Sequence, residues 1–140
     1  MDTGHWTTAL PLDESTNAYG FIYIITNTIS GKKYIGKKQM KTIKKRQPLK
    51  GKKNKRHFEA ETDWKQYTSS SNDLNADIAK HGKHNFKFEI VRLCNSKFEL
   101  AYFEAKLQFE NDVLFYPNKF YNGIINCRIG KVPHALLEKT

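Results

Sequence analysis

Tyr23 and Tyr34 stand eleven residues apart, on either side of a polar stretch that carries Gly31. A tyrosine ionises near pH ~10, so it accepts a proton at neutral pH only where its surroundings favour the phenolate. Lys33, Lys37 and Lys38 crowd the second tyrosine and would do so. Glu104 lies four residues after Leu100 and three before Leu107. On a helix that spacing puts its carboxylate on the inward apolar stripe. A buried carboxylate is costly unless a cation pairs with it or it binds a metal, and both solutions stay open at this point. The third feature is a run of positive charge. Residues 37–56 hold eleven of the twenty-four Lys and Arg and no acidic residue, while the rest of the chain has thirteen basic and fourteen acidic residues. The net charge of +10 is therefore one local patch. Such a patch neutralises phosphates and releases counterions. Acidic lipid is a competing partner, but the run lacks the apolar face of a membrane-surface helix, so nucleic acid is preferred. The plain alternative is a solvated linker or a localisation signal.

The elements that must position these groups follow from periodicity. Phe21, Tyr23 and Ile25 alternate with Ile22 and Ile24 as in a strand, residues 27–32 can reverse the chain, and a second strand resumes at Lys33. Residues 38–63 read as a long loop, with a short helix around 40–46, because Pro48 and Gly51 interrupt them. Ser71 or Asn72 opens a helix that Gly82 ends, with Leu74 and Ile78 inward. Residues 86–93 alternate as a strand whose far end is turned over or bulged at Val91 and Leu93. Ser96 with Glu99 forms a capping box for the longest helix, 97–114, whose stripe is Leu100, Phe103, Leu107 and Leu114. A short strand over 124–129 and a final helix from Pro133 to Leu137 complete the reading. One hundred and forty residues fit one domain: an arm over 1–18, loose or docked on the body or on a second subunit, a body over 19–130 with a basic insertion at 37–63, and a tail over 131–140. The expected class is α+β, a small antiparallel sheet of about three strands flanked by helices. Cys94 and Cys127 have no metal-like spacing and read as thiols of a reducing compartment. No apolar run is long enough for a signal peptide or a membrane span, so the expected location is cytoplasmic, a host cytoplasm if the gene is carried by a phage.

The order Phe21-Ile22-Tyr23, Thr26-Asn27, Tyr34-Ile35-Gly36 resembles the GIY-YIG nuclease family, with Phe21 in place of that family's first glycine. Glu104-Ala105-Lys106-Leu107 resembles the family's helix, with Gln108 where an apolar residue is usual, and Tyr121-Asn122 resembles its closing asparagine, with Asn126 as the competing choice. Residues 72–82 followed by Asn85-Phe86 resemble its middle section. The resemblance implies a DNA endonuclease that hydrolyses phosphodiesters to a 5′-phosphate and a 3′-hydroxyl. It implies Tyr23 activating or orienting water, Tyr34 positioning the phosphate or the nucleophile, and Arg46 opposing the charge at phosphorus, with Arg56 as an alternative. It implies Glu104 as the single protein ligand of Mg²⁺ or Mn²⁺, and Asn122 as a brace. A further polar group falls on His57 or Tyr67. The DNA grip falls on Lys33, Lys37, Lys38, Lys44, Lys45, Lys52, Lys53, Lys55 and Arg56. No separate recognition region is legible, so the enzyme expected is a small one of phage, restriction or homing type. One nick per site would make a double-strand break the work of a homodimer or of two successive events. A non-catalytic nucleic-acid-binding domain on the same fold is the rival expectation, and His81 and His84 read as surface histidines.

Overall fold

The structure, a computed structural model, describes residues 1–12 and 16–137, and at Lys45 and Arg46 the backbone alone. Strand β1, Gly20–Asn27, is apolar on both faces because it runs up the middle of the sheet. β2, Lys33–Gln39, lies antiparallel on one side of it and β5, Phe86–Cys94, on the other. The expected α+β class, with a three-stranded antiparallel sheet, is what the chain forms. Gly31 takes the left-handed backbone (φ 78°) that closes the β1–β2 turn. The Asn27 side-chain carbonyl accepts from the backbone N–H groups of Ile29 and Ser30 in the same turn. On β5 the register slips by one residue, with Ile22 opposite Arg92 and Tyr23 opposite Ile90. Val91 is the extra residue, the bulge that the broken alternation indicated.

Each face of the sheet has its own cover. Phe21, Tyr23, Ile25, Phe88 and Ile90 pack with Trp6, Trp64 and Leu74. Ile22, Ile35 and Cys94 pack with Leu100 and Val113, flanked by Phe103 and Leu107. The first cover includes α1, Asn72–His81, capped by Ser71 Oγ accepting from the Leu74 N–H at 3.2 Å and ended at Gly82 (φ 87°). The second is α2, Lys97–Glu110. Its capping box forms in a shifted version: Ser96 Oγ accepts from the Glu99 N–H at 3.1 Å, and Glu99 reaches back to the Asn95 N–H at 2.7 Å.

The arm docks on the body. Trp6 is only 2% exposed, its ring lies 5.1 and 5.0 Å from those of Phe21 and Tyr23, and its indole N–H donates to the Trp64 carbonyl at 2.5 Å. Thr7 bridges to β5 through its N–H to Phe88 O and its carbonyl from Ile90 N–H, 2.8 and 2.9 Å. A tryptophan in an otherwise polar stretch has only the core in which to bury its large apolar surface.

Three expectations are corrected. Residues 38–63 are not a loop with a short helix. They form a two-stranded ribbon, β3 Lys41–Arg46 paired antiparallel with β4 Arg56–Glu61. The β-branched Thr42 and Ile43 favour the strand, and a Lys41–Glu59 ion pair at 3.4 Å ties the two together, while Pro48 and Gly51 fall in the connecting turn. The long helix stops at Glu110 instead of 114, because the Asn111 side chain caps the Leu107 carbonyl at 2.8 Å and Asp112 turns left-handed (φ 49°). Val113 then takes the buried place expected of Leu114, which is exposed. Residues 124–129 are not a strand. The chain pairs earlier, with Lys33 N–H donating to Lys119 O and Tyr121 N–H to Lys33 O, at 2.9 and 2.8 Å. The final helix is α3, His134–Leu137.

Candidate active site

The outer edge of β2 is where the candidate residues meet. Every second residue of that strand turns its peptide groups outward, and an unpaired sheet edge must be satisfied by something. At Lys33 the partner is the backbone of 119–121. At Ile35 it is a side-chain amide: Asn122 Oδ1 accepts from the Ile35 N–H at 3.0 Å and Asn122 Nδ2 donates to the Ile35 carbonyl at 2.8 Å. Gln108 Nε2 donates to the same carbonyl at 2.9 Å. At Lys37 the backbone hydrogen bond goes to the Glu104 carboxylate. Glu104 and Gln108 are one helical turn apart, about 6 Å of axial rise, and Ile35 and Lys37 are two strand residues apart, about 7 Å. The two repeats match, so α2 lies along the edge with both side chains in register. Asn122 is buried, whereas Asn126 is exposed. Tyr121 holds the segment from the other side: its hydroxyl donates to Asp77 at 2.7 Å and accepts from Asn27 Nδ2 at 3.1 Å.

Tyr23 and Tyr34 share the opposite face from Glu104's helix. Tyr23 pairs across the ladder with Gly36, and Tyr34 with Ile25. Their rings are 6.1 Å apart, and a Cβ on Gly36 would lie 2.5 Å from the Tyr23 hydroxyl and 2.8 Å from Tyr34 Cε1. The glycine is required because both rings lie over its backbone. Tyr67 closes the group, 6.3 Å ring to ring from Tyr23 and nearly perpendicular to it. Phe21, at the position of the family's glycine, is fully buried against Trp6 and Trp64.

The expected lysine-favoured phenolate is overturned. Burial drives Tyr23 well above its ordinary value, and the neighbouring Tyr34, Tyr67 and Glu104 reinforce the shift. Burial raises Tyr34 as well, against an opposing hydrogen bond from Ser70. The lysines face other partners: Lys37 Nζ is 3.9 Å from Glu104, and Lys38 Nζ pairs with Asp63 at 2.8 Å and sits 4.1 Å above the Tyr67 ring. Both tyrosines are protonated donors at neutral pH. A cavity of about 170 Å³ opens beside Tyr34, lined by Ser70, Ser71, Asn122 and Gly123 among others.

Glu104 is 13% exposed, and burial raises its pKa against the opposing Lys37 ammonium and backbone N–H. Lys37 at 3.9 Å is a loose partner, so the carboxylate has charge left to offer a cation. Among the described residues no three of His, Cys, Asp and Glu cluster as a ready-made metal cage. A lone carboxylate, with the remaining positions left to water and phosphate oxygens, is a donor set that a hard dication such as Mg²⁺ tolerates. The residues present fit that group.

Other candidates are placed elsewhere. Arg46 stands opposite Arg56 at the last pair of the ribbon, and its side chain, like that of Lys45, lies outside the described residues. The Arg56 Nε–H donates to the Gln47 carbonyl at 3.3 Å. His57 is exposed on the ribbon, so of the two alternatives Tyr67 is the one beside the tyrosines. Lys44, Lys52, Lys53, Lys55 and Arg56 are exposed along the ribbon and its turn, and Lys33 is exposed at the start of β2. Gln108 had no place in the sequence-derived site, although a polar residue one turn beyond Glu104 on the same apolar stripe was a signal.

A tyrosine hairpin and a helix-borne glutamate meeting at one sheet edge define a small α+β nuclease fold. The family model described as "Putative endonuclease segE, GIY-YIG domain" matches residues 6–125, and the chain belongs to the GIY-YIG endonuclease family. No curated protein and no solved structure matches it. Among the described residues no helix is long and apolar enough to cross a membrane.

Proposed function

We propose that the chain is a metal-dependent DNA endonuclease that hydrolyses one phosphodiester per active site, leaving a 5′-phosphate and a 3′-hydroxyl. The observation that carries this reading is the edge of β2, where Glu104 of α2 takes the Lys37 backbone N–H while Tyr23 and Tyr34 lie over Gly36, the residue just before it on the same strand. In this reading the half-buried Tyr34 donates its hydroxyl to a non-bridging phosphate oxygen. Tyr23, deeper and firmly protonated, orients the attacking water and is not its base; the water's proton passes to solvent, and the leaving 3′ oxygen takes one from solvent. Lys38 Nζ stands over the Tyr67 ring, and Lys37 Nζ lies beside the Glu104 carboxylate. We assign to them the opposition to phosphate charge that the resemblance gives Arg46. Glu104 is the residue that would hold Mg²⁺ or Mn²⁺. When bound, the ion supplies positive charge to the leaving 3′ oxygen. Asn122 and Gln108 fix the strand edge on which that geometry depends. The exposed Lys44, Lys52, Lys53, Lys55 and Arg56, with Lys33 near the site, supply the phosphate grip. The fold and this chemistry suit a phage, restriction or homing enzyme working in a cytoplasm.

Conversion of supercoiled plasmid to nicked and linear forms tests this. Nicking with Mg²⁺ or Mn²⁺ that stops with EDTA, and stops with Glu104→Ala, is the expected result. Folded protein that binds plasmid but cuts neither plain, branched nor modified DNA overturns it in favour of a binding domain.

A further inference from the structure

The β3–β4 ribbon has two unlike faces. Side chains alternate across each strand, so the observed register sorts them. Lys41 pairs with Glu61 and Ile43 with Glu59, which puts both of the ribbon's acids on one face. Thr42 pairs with Ala60 and Lys44 with Phe58, and Arg56 lies two residues before Phe58 on the same strand, which puts no acid on the other. The turn beyond adds Lys50, Lys52, Lys53 and Lys55, again without an acid. A general cation store for solubility has no reason to keep one face free of carboxylates. A surface that lies against a polyanion does.

We propose that the ribbon enters the major groove of duplex DNA with its acid-free face inward. This deepens the reading of the chain as a DNA endonuclease and rests on it. The ribbon is six pairs long, about 17 Å, and a two-stranded ribbon fits the roughly 12 Å width of the major groove but not the roughly 6 Å of the minor. The face also has a graded chemistry. Thr42 and Ala60 at its root are small and let the backbone approach the base edges. Lys44 and Arg56 farther out reach the phosphates that border the groove. The ribbon leaves the body directly after β2, at Gln39 and Met40, so it is tied to the strand that carries Tyr34 and Lys37. Its docking would set which phosphate reaches the tyrosines.

The test is binding of the full chain to a mixed-sequence duplex, read by fluorescence anisotropy in EDTA so that no cleavage intervenes. Methyl green serves as the major-groove competitor and netropsin as the minor-groove one. Methyl green is expected to weaken binding about fivefold or more and netropsin by less than about twofold. Lys44→Ala with Arg56→Ala is expected to weaken binding on the order of tenfold and to flatten its salt dependence, while Ile43→Thr on the other face leaves both unchanged. Competition by netropsin instead of methyl green overturns the proposal, as does a Lys44→Ala, Arg56→Ala chain that binds like its parent. The two readings fail separately. Groove-selective binding without cleavage in Mg²⁺ or Mn²⁺ removes the nuclease and keeps the ribbon. Cleavage with binding insensitive to methyl green removes the ribbon alone.

Discussion

Glu104 shows how one side chain ties stability to chemistry. Its folded-state pKa is raised above the ordinary 4.5 by burial, so ionising it costs the folded chain stability. That cost is absent while the group is protonated in both states, near pH 4.5 and below, and it grows as pH rises through the folded value. Glu104→Gln is therefore expected to melt higher than the parent at neutral pH without metal, with the gap closing toward pH 4.5. A scan of Tm against pH checks this, and a gap that widens on acidification would show that Lys37 outweighs burial. Gly36→Ala is the sharper test of the tyrosine pair. The added Cβ meets the Tyr23 hydroxyl and the Tyr34 ring. Cleavage is expected to fall about a hundredfold, as for a misplacement of about 1 Å, while circular dichroism stays native. Glu104 was legible in the sequence because a helix has one period and a carboxylate on an apolar stripe breaks it. The direction of the tyrosine shift was not, because Tyr23 is buried by Trp6 and Tyr67, residues that only tertiary packing brings beside it.

At the scale of elements, the arm holds the tyrosine cluster from beneath. Trp6 fills the space under Phe21 and Tyr23, and Trp6→Ala is expected to cost about 3–5 kcal/mol, measured by urea unfolding. His5 beside it stacks on Phe88 at 4.0 Å, and its ring Nε2 lies 2.9 Å from the Tyr67 carbonyl. Burial first, and then the Lys83 charge, push its pKa from 6.5 down to about 4. The unfolded chain therefore takes up this proton before the folded one does. The contribution of His5 is complete above pH 6.5 and is lost as pH falls from 6.5 toward about 4. His5→Gln is expected to lessen the fall in urea-unfolding stability over that window, and an unchanged slope would place the acid sensitivity elsewhere. The two helices and the main hairpin were legible because caps, turn residues and apolar periods all agree there. The ribbon was not, because Lys-Thr-Ile-Lys-Lys-Arg has no alternation of its own and becomes a strand only through pairing with residues 56–61. The expected strand over 124–129 failed for the converse reason: Ile124 and Ile125 look strand-like, but the outer edge of β2 is already taken by 119–122, Gln108 and Glu104.

The whole molecule sets a near-neutral body, which carries one group of Tyr23, Tyr34 and Glu104, beside one basic ribbon. In the proposed reading, one such group per chain attacks one phosphodiester at a time. The two strands of a duplex run in opposite directions, so the second cut needs either a second chain or release and rebinding in the other orientation. A single chain is therefore expected to accumulate nicked circles before linear DNA, with the linear product appearing later and depending on protein concentration. The phosphate contacts proposed for the ribbon add a second dependence: affinity should fall steeply and linearly in log salt, by about one unit of slope for each phosphate neutralised. Raising salt should then slow the second cut more than the first, because the second requires a fresh encounter. A time course of plasmid forms at two salt concentrations and two protein concentrations decides the matter. Linear DNA that appears without a nicked intermediate, at a rate second order in protein, would mean that two chains act together on the duplex. Nicked circles that chase to linear with first-order dependence would mean that one chain makes both cuts in turn.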